Sequence, residues 1–217
     1  MPNLPLALLL SAAAALLAGQ APSRAQSVDP SQLPAKDAHQ GLLIAVSPDV
    51  TADSSKAAFG KHTPYDVGIL GLNVYFKNDS ELPIHIDLHT VRLFIGQGEQ
   101  RQKLEALPPD TVADLVLMVG DRDPTTERRS PVPSAKPRSK GKEWDDLDSA
   151  LRAASMSRDV LPAHATTHGY FFFDIDHQFD SLSNARLDIP DLAFTPGNNA
   201  LFFFQIDLSP ALAPASK

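Results

Sequence analysis

The clearest structural signal in this chain is an alternating run from Ile69 to Phe76. Every second residue of the run is large and apolar, while Asn73 and Tyr75 lie at alternate positions. Alternation with a period of two indicates a β-strand that buries one face and exposes the other. A second β-like run extends from Pro83 to Ile95, and the short polar gap between the two runs predicts an antiparallel hairpin.

The second run changes phase part-way along. Its apolar positions shift from even to odd numbers near His89 and Thr90, so a regular strand would turn half of them away from the core. A one-residue β-bulge at His89–Thr90 would bring both halves to the same face. The apolar positions concerned are Ile84, Ile86, Leu88, Val91, Leu93 and Ile95.

Similar patterns elsewhere predict a mainly β chain with one short helix. Trp144, Leu147 and Leu151 recur at helical spacing, which predicts an amphipathic helix over residues 143–156. Pro190 interrupts a β run, as is typical of an edge strand. These segments predict an antiparallel β-sandwich of about seven strands. Further predicted segments are strands at 41–47, 114–119, 168–176, 185–192 and 201–208 (the last burying Phe202, Phe204, Ile206 and Leu208), a loop at 48–66, and a helix or turn at 100–107.

Residues 1–25 have the pattern of a secretory signal peptide. An apolar segment is followed by Ser23 and Ala25, small residues that suit a cleavage site before Gln26. The expected location is therefore periplasmic or extracellular. We expect a flexible lead-in at 26–40 and a single β-sandwich domain at 41–210.

Composition excludes several classes of function. The 217 residues include no cysteine, which excludes disulfides, thiolate metal sites and cysteine catalysis. The net charge of −7 makes nucleic acid an unfavourable partner. No later apolar run is long enough for a stable membrane span once the leader is removed. Residues 121–142 are rich in Lys, Arg and Pro, and we expect a disordered basic insertion; the alternative is a docking arm for an acidic partner or an anionic surface polymer.

The sharpest chemical pattern is His85-x-Asp87-x-His89. On a regular strand all three side chains would share one face, which could form part of a zinc or copper site. Against this, the two histidines would lie roughly 13 Å apart at about 3.3 Å per residue, too far to bind one ion without a bend. The alternative is an ordinary polar strand face.

Other patterns are weaker evidence for a functional site. His164 and His168 have helical metal-pair spacing, but a Phe-rich strand begins among them. Gly96-x-Gly98 lacks the third glycine of a dinucleotide-binding turn, because Arg101 stands there. No catalytic residue and no cofactor are predicted, although a Ser–His–Asp triad built from distant residues is left open.

Two segments resemble a known family. Residues 68–84 (GILGLNVYFKNDSELPI) resemble the first hairpin of secreted bacterial immunoglobulin-like domains of unknown function, and residues 160–173 (VLPAHATTHGYFFF) are similar to a later strand of that family. The resemblance implies an immunoglobulin-like sandwich and a binding or structural module, and it supplies no catalytic residues.

The resulting expectation is a non-enzymatic binding or structural module of the cell envelope, whose partner is another envelope protein or a surface polymer. One alternative is a divalent-metal-binding protein that uses His85, Asp87 and His89. The other is a secreted hydrolase whose triad is not visible in the sequence.

Overall fold

The computed structural model describes residues 28–118 and 141–212. Within these ranges the chain is mainly β, with antiparallel pairing between neighbouring strands and a few short helices. The strands are β1 (Ala35–His39), β2 (Leu42–Asp49), β3 (Ile69–Asn78), β4 (Ile84–Ile86), β5 (Arg92–Ile95), β6 (Gln102–Glu105), β7 (Val160–Leu161), β8 (Thr166–Asp174), β9 (Arg186–Ile189), β10 (Leu192–Phe194), β11 (Asn199–Ala200) and β12 (Phe204–Asp207). The helices are α1 (Ala52–Phe59), α2 (Pro109–Met118), α3 (Lys142–Ala154) and α4 (Ser209–Leu212).

The strands form three four-stranded sheets. Sheet 1 has the order β1-β2-β3-β8, sheet 2 has β11-β10-β4-β7, and sheet 3 has β12-β9-β5-β6. The inner face of sheet 1 contributes Leu72 and Phe173 to the main apolar core, sheet 2 contributes Ile86, and sheet 3 contributes Leu93 and Ile206. The core therefore lies between sheet 1 on one side and sheets 2 and 3 on the other.

The other face of sheet 1 is covered by helices. Ile69 of β3 and Phe172 of β8 pack with Phe59 of α1, Val112 of α2 and Leu151 of α3 in a second apolar cluster. Sheet 1 is thus buried on both faces, which explains why apolar residues occupy both phases of β8. The outer face of sheet 3 carries the polar residues described in the next section.

Several predicted elements are confirmed. Strands β2, β3 and β8 form where the sequence predicted strands, and the even-numbered apolar residues of β3 are fully buried. Helix α3 also forms, with Leu147 and Leu151 buried and Trp144 packed beside them. The apolar residues on either side of His89 all contact the core, as predicted.

The predicted hairpin between β3 and its successor is wrong. β3 pairs with β2 and β8, whereas β4 belongs to sheet 2 and pairs with β10 and β7. The buried side chain of Asn78 fixes the turn after β3, and from there the chain crosses to the opposite layer. A 3-10 turn at Leu88–Thr90, rather than a bulge, then corrects the phase and separates β4 from β5.

Six further predictions differ from the structure. The segment 26–40 contains β1, which pairs with β2, and the predicted loop at 48–66 contains α1. Segment 100–107 contains β6 instead of a helix or turn, and residues 114–118 of the predicted strand at 114–119 belong to α2. β9 lies between β12 and β5, so it is not an edge strand. Phe202 is 73% exposed, because β12 begins only at Phe204.

Two predicted segments lie outside the described residues. These are the signal peptide at 1–25 and the basic insertion at 121–142, apart from its last two residues. Gly141 precedes α3 and Lys142 is its first residue.

Candidate functional site

The outer face of sheet 3 carries a row of four residues, one from each strand. Cross-strand pairing places Asp207 opposite Arg186, Arg186 opposite Phe94, and Phe94 opposite Lys103. Residues directly opposite on neighbouring strands have their side chains about 4.5–5.5 Å apart at Cβ. Phe94, which is half-buried, therefore has a cation on each side.

A third cation lies over the ring of Phe94. The chain turns back after β5 through Gly96 and Gly98, whose φ angles of 78° and 57° favour glycine, and this turn returns Arg101 to the sheet face. The Arg101 guanidinium carbon lies 4.3 Å from the centroid of the Phe94 ring, a cation–π geometry. The Phe94 ring already lies between Arg186 and Lys103. The Arg101 contact therefore adds a third positive charge at this end of sheet 3.

None of these three cations forms an ion pair with a carboxylate of the described residues. Arg186 donates from Nη1 to Oε1 of Gln205 at 3.3 Å. Asp207, although opposite Arg186, accepts a hydrogen bond from the backbone N–H of Ser209 at 2.9 Å. The guanidinium groups of Arg101 and Arg186 therefore keep donors free for a ligand.

Phe94, Arg101, Arg186 and Asp207 line a concavity of about 430 Å³, here called the cationic concavity, and Lys103 lies beside Phe94 outside its wall. Its wall includes Gln97 and Asn184, whose side-chain amides are hydrogen-bonded to each other. Arginine presents donors in a planar fork that matches carboxylate or phosphate oxygens. An arrangement of two guanidinium groups with free donors and two side-chain amides can bind an anionic group and orient it.

The predicted metal residues do not share a strand face. β4 ends at Ile86, so His85 lies on the strand while Asp87 caps the following 3-10 turn, accepting from the backbone N–H of His89 at 3.0 Å. His85 and Asp87 line a cavity of about 330 Å³, whereas His89 lines a different one. The strand-face geometry assumed from the spacing is therefore wrong. Residues 28–118 and 141–212 contain no group of three or more His, Cys, Asp or Glu side chains that could hold a metal ion.

The remaining histidines of the sequence analysis have polar partners elsewhere. Nε2 of His164 lies 3.1 Å from Oε2 of Glu81, and Nδ1 of His168 lies 3.2 Å from Oδ1 of Asn73. Neither histidine lines the cavity that contains His85. The structure does not bring them together with the predicted metal residues.

A buried carboxylate lies on the helix-covered face of sheet 1. Oδ2 of Asp49 is buried and has no hydrogen-bond partner among the described atoms, and burial raises the pKa of this carboxyl group. Burial, together with the neighbouring Asp49 carboxylate, raises the pKa of Tyr170. Burial and the Asp49 charge likewise raise the pKa of Tyr75. This cluster shapes the pH dependence of stability and lies apart from the cationic concavity.

The residues of the cationic concavity were not predicted from the sequence. Arg101 was noted only as a departure from a glycine motif, and Phe94, Lys103 and Arg186 carried no recognisable spacing. Their proximity depends on how β5 pairs with β6 and β9. A correct strand pairing, with Phe94 and its two cross-strand neighbours identified, is the signal that would have revealed them.

Comparisons with known proteins give little further information. No family model and no curated protein matches the chain. Among solved structures, a functionally unknown protein from Listeria monocytogenes EGD-e is similar over 71% of this chain and 70% of its own, at 11% identity and a TM-score of 0.33. A TM-score this low does not establish a shared fold, so the functional argument depends on the geometry of this chain. In the described ranges no helix is long and apolar enough to cross a membrane.

Proposed function

We propose that this protein is a secreted, non-enzymatic binding module of the cell envelope, with an immunoglobulin-like sandwich, and that its cationic concavity binds the carboxylate groups of an acidic surface polysaccharide. The observation that carries the proposal is the set of three cations around Phe94, none of them in an ion pair with a carboxylate in the described part of the chain. Arg101 and Arg186 are exposed to solvent, so a ligand can reach their free donors directly.

The net charge of the whole chain is opposite in sign to that of the three cations, which helps to distinguish a local site from general electrostatic attraction. A net charge of −7 repels polyanions at long range. Binding of an acidic polymer would therefore report a local site and not a general attraction. An exposed sheet face suits a polymer better than an enclosed pocket does, since an extended chain can pass across it. The outer face of sheet 3 continues from the concavity to Gln205, and Phe203, just before β12, is 61% exposed.

The test is calorimetric titration of the purified protein with a polygalacturonate of defined length, and with a dextran of the same mass as the neutral control. We expect binding of polygalacturonate only, weakening as NaCl is raised from about 20 to about 300 mM. The double substitution Arg101→Gln/Arg186→Gln should weaken binding about tenfold or more, because it removes the two forks that can form charge-assisted hydrogen bonds.

The matched control is Arg128→Gln/Arg129→Gln, which removes the same charge from the basic segment 121–142. This control should bind like the parent protein. Loss of binding in the control and not in Arg101→Gln/Arg186→Gln would overturn the proposal and transfer the role to the basic segment. Equal binding of dextran and polygalacturonate would also overturn it.

The secreted location has its own test. Expression of the whole chain in a Gram-negative host, followed by fractionation and intact-mass measurement, should give a periplasmic or extracellular product that begins at Gln26. A cytoplasmic product that retains residues 1–25 would contradict the location without bearing on the cationic concavity.

A further inference from the structure

A second cavity, here called the side cavity, opens where the edge of sheet 3 meets the edge of sheet 1. It encloses about 510 Å³, within the range of small-molecule sites. Apolar side chains from both layers line it: Leu88 precedes β5, Leu107 follows β6, Met156 follows α3, and Phe171 belongs to β8. Met156 and Phe171 are also members of the main core, so the side cavity reaches the interior of the sandwich.

The walls of the side cavity are fixed by backbone hydrogen bonds to β8. The N–H of Leu107 donates to the carbonyl of Phe172 at 2.7 Å, and the N–H of Met156 donates to the carbonyl of Tyr170 at 3.1 Å. These two bonds attach the segments after β6 and after α3 to the same strand. The space between them is therefore preformed.

One charged group of the side cavity is incompletely satisfied. Arg92 uses Nη1 to donate to the carbonyls of His89 and Val91, and its Nη2 lies 3.2 Å from Oε1 of Glu105. Its Nε is buried and has no hydrogen-bond partner among the described atoms. The Glu105 side chain is 74% exposed, so it holds Nη2 in a solvent-accessible, single-contact ion pair.

We propose that the side cavity binds a linear aliphatic carboxylate, with the carboxylate at Arg92 and the tail among Leu107, Met156 and Phe171. Nε and Nη2 form one edge of the guanidinium fork and match the two oxygens of a carboxylate. The ligand carboxylate would replace the single contact of Glu105 at Nη2, and a shift of the Arg92 side chain on binding would bring the buried Nε to its second oxygen. The apolar lining favours a tail over a second polar group. This site is separate from the cationic concavity and does not depend on the proposed function.

The test uses decanoate below its micellar concentration, with decan-1-ol and acetate as controls for the head group and the tail. We expect decanoate to bind about tenfold more tightly than decan-1-ol, and acetate to show no measurable binding. The chain has three methionines, so selective ¹³C-methyl labelling gives a simple spectrum. The methyl resonance of Met156, assigned with Met156→Leu, should shift on titration with decanoate.

Two substitutions separate the proposed contact from general hydrophobic binding. Arg92→Gln should weaken decanoate binding about tenfold or more, whereas Lys56→Gln, which removes one charge from the exposed surface of α1, should not change it. Because Arg92 also binds backbone carbonyls, a misfolded variant is conceivable, and Glu105→Gln provides the independent test. Removing this competing carboxylate should tighten decanoate binding about two- to fivefold.

Equal affinities for decanoate and decan-1-ol would overturn the proposal, as would weaker decanoate binding in Glu105→Gln. A Met156 resonance that stays unshifted at saturation would place the ligand elsewhere and have the same consequence. Because polygalacturonate titration addresses Arg101 and Arg186, failure of either proposal is distinguishable from failure of the other.

Discussion

Replacing Asn78 by alanine should destabilise the fold more than any other single polar substitution described here. Asn78 ends β3, and its side chain is fully buried. Oδ1 accepts from the backbone N–H of Ser80 at 2.9 Å, while Nδ2 donates to the carbonyls of Leu82 at 2.8 Å and Pro162 at 3.0 Å. One amide group thus joins the end of β3, the turn after it and the segment between β7 and β8.

The magnitude follows from these three bonds. A neutral hydrogen bond contributes about 1 kcal/mol net, and a buried group left without its partner costs about 1–3 kcal/mol. Losing the Asn78 amide leaves the Ser80 N–H and the Pro162 carbonyl unpaired in a partly buried turn, and the Leu82 carbonyl keeps only the bond from Ser80 Oγ at 3.0 Å. The expected loss in the free energy of unfolding is therefore about 3–5 kcal/mol. Asn78→Asp keeps the acceptor but sets a carboxylate against two carbonyl oxygens, so its defect should be larger at pH 7 than near pH 4, where the carboxyl group begins to protonate.

Urea denaturation followed by circular dichroism measures both variants against the parent protein. The matched control is Asn73→Ala, which removes a half-exposed asparagine whose partners are the Tyr75 hydroxyl and His168. We expect the control to lose about 1 kcal/mol or less. A loss below about 1 kcal/mol for Asn78→Ala, or equal losses for Asn78→Ala and Asn73→Ala, would show that the buried amide does not hold the turn.

Two other substitutions probe the packing around sheet 1. Gly169→Ala would place Cβ 2.5 Å from backbone atoms of Met156, so we expect a loss of about 3 kcal/mol in thermal unfolding, whereas Gly141→Ala meets no atom within 4 Å and should be tolerated. Asp49→Asn removes a carboxyl group whose pKa is raised by burial from its ordinary 3.8, so the native state binds more protons than the unfolded state as pH rises through that window. The parent protein therefore loses stability as the pH rises through this window. At pH 7 the Tm of Asp49→Asn should be higher than that of the parent protein, and near pH 3 the difference should vanish. A difference that persists at pH 3 would contradict the titration of Asp49.

Local patterns predicted the elements whose burial is simple. β3 buries every second residue against the main core, so its apolar residues alternate as in a strand. α3 buries one face, so its apolar residues recur at helical spacing. The pattern was ambiguous in α2, whose consecutive apolar residues from Leu115 to Met118 resemble a buried strand. Pro109 and Asp110 at the start of α2 are helix-initiating signals that should have taken precedence.

Strand pairing was not predictable from the same patterns. The short polar gap after β3 is a hairpin signal. The same gap is found whether the next strand pairs with β3 or crosses to the other layer, so it does not distinguish the two. What decides between them is the buried side chain of Asn78, which binds the carbonyl of Pro162, a residue distant in sequence. A contact of this range leaves no trace in local periodicity. The short β6 was likewise missed, because only pairing with β5 makes it a strand.

The same reasoning explains why the candidate sites could not be found from spacing, and β5 shows it most directly. Arg92 and Phe94 are two residues apart on one face of this strand, yet they line different cavities. Register places Arg92 between Glu105 and Asp188, and places Phe94 between Lys103 and Arg186. A shift of two residues in either pairing would set cations beside Arg92 or acids beside Phe94, with the composition unchanged. The free cations of the cationic concavity and the carboxylate-bound Arg92 of the side cavity are therefore consequences of register, which long-range packing determines.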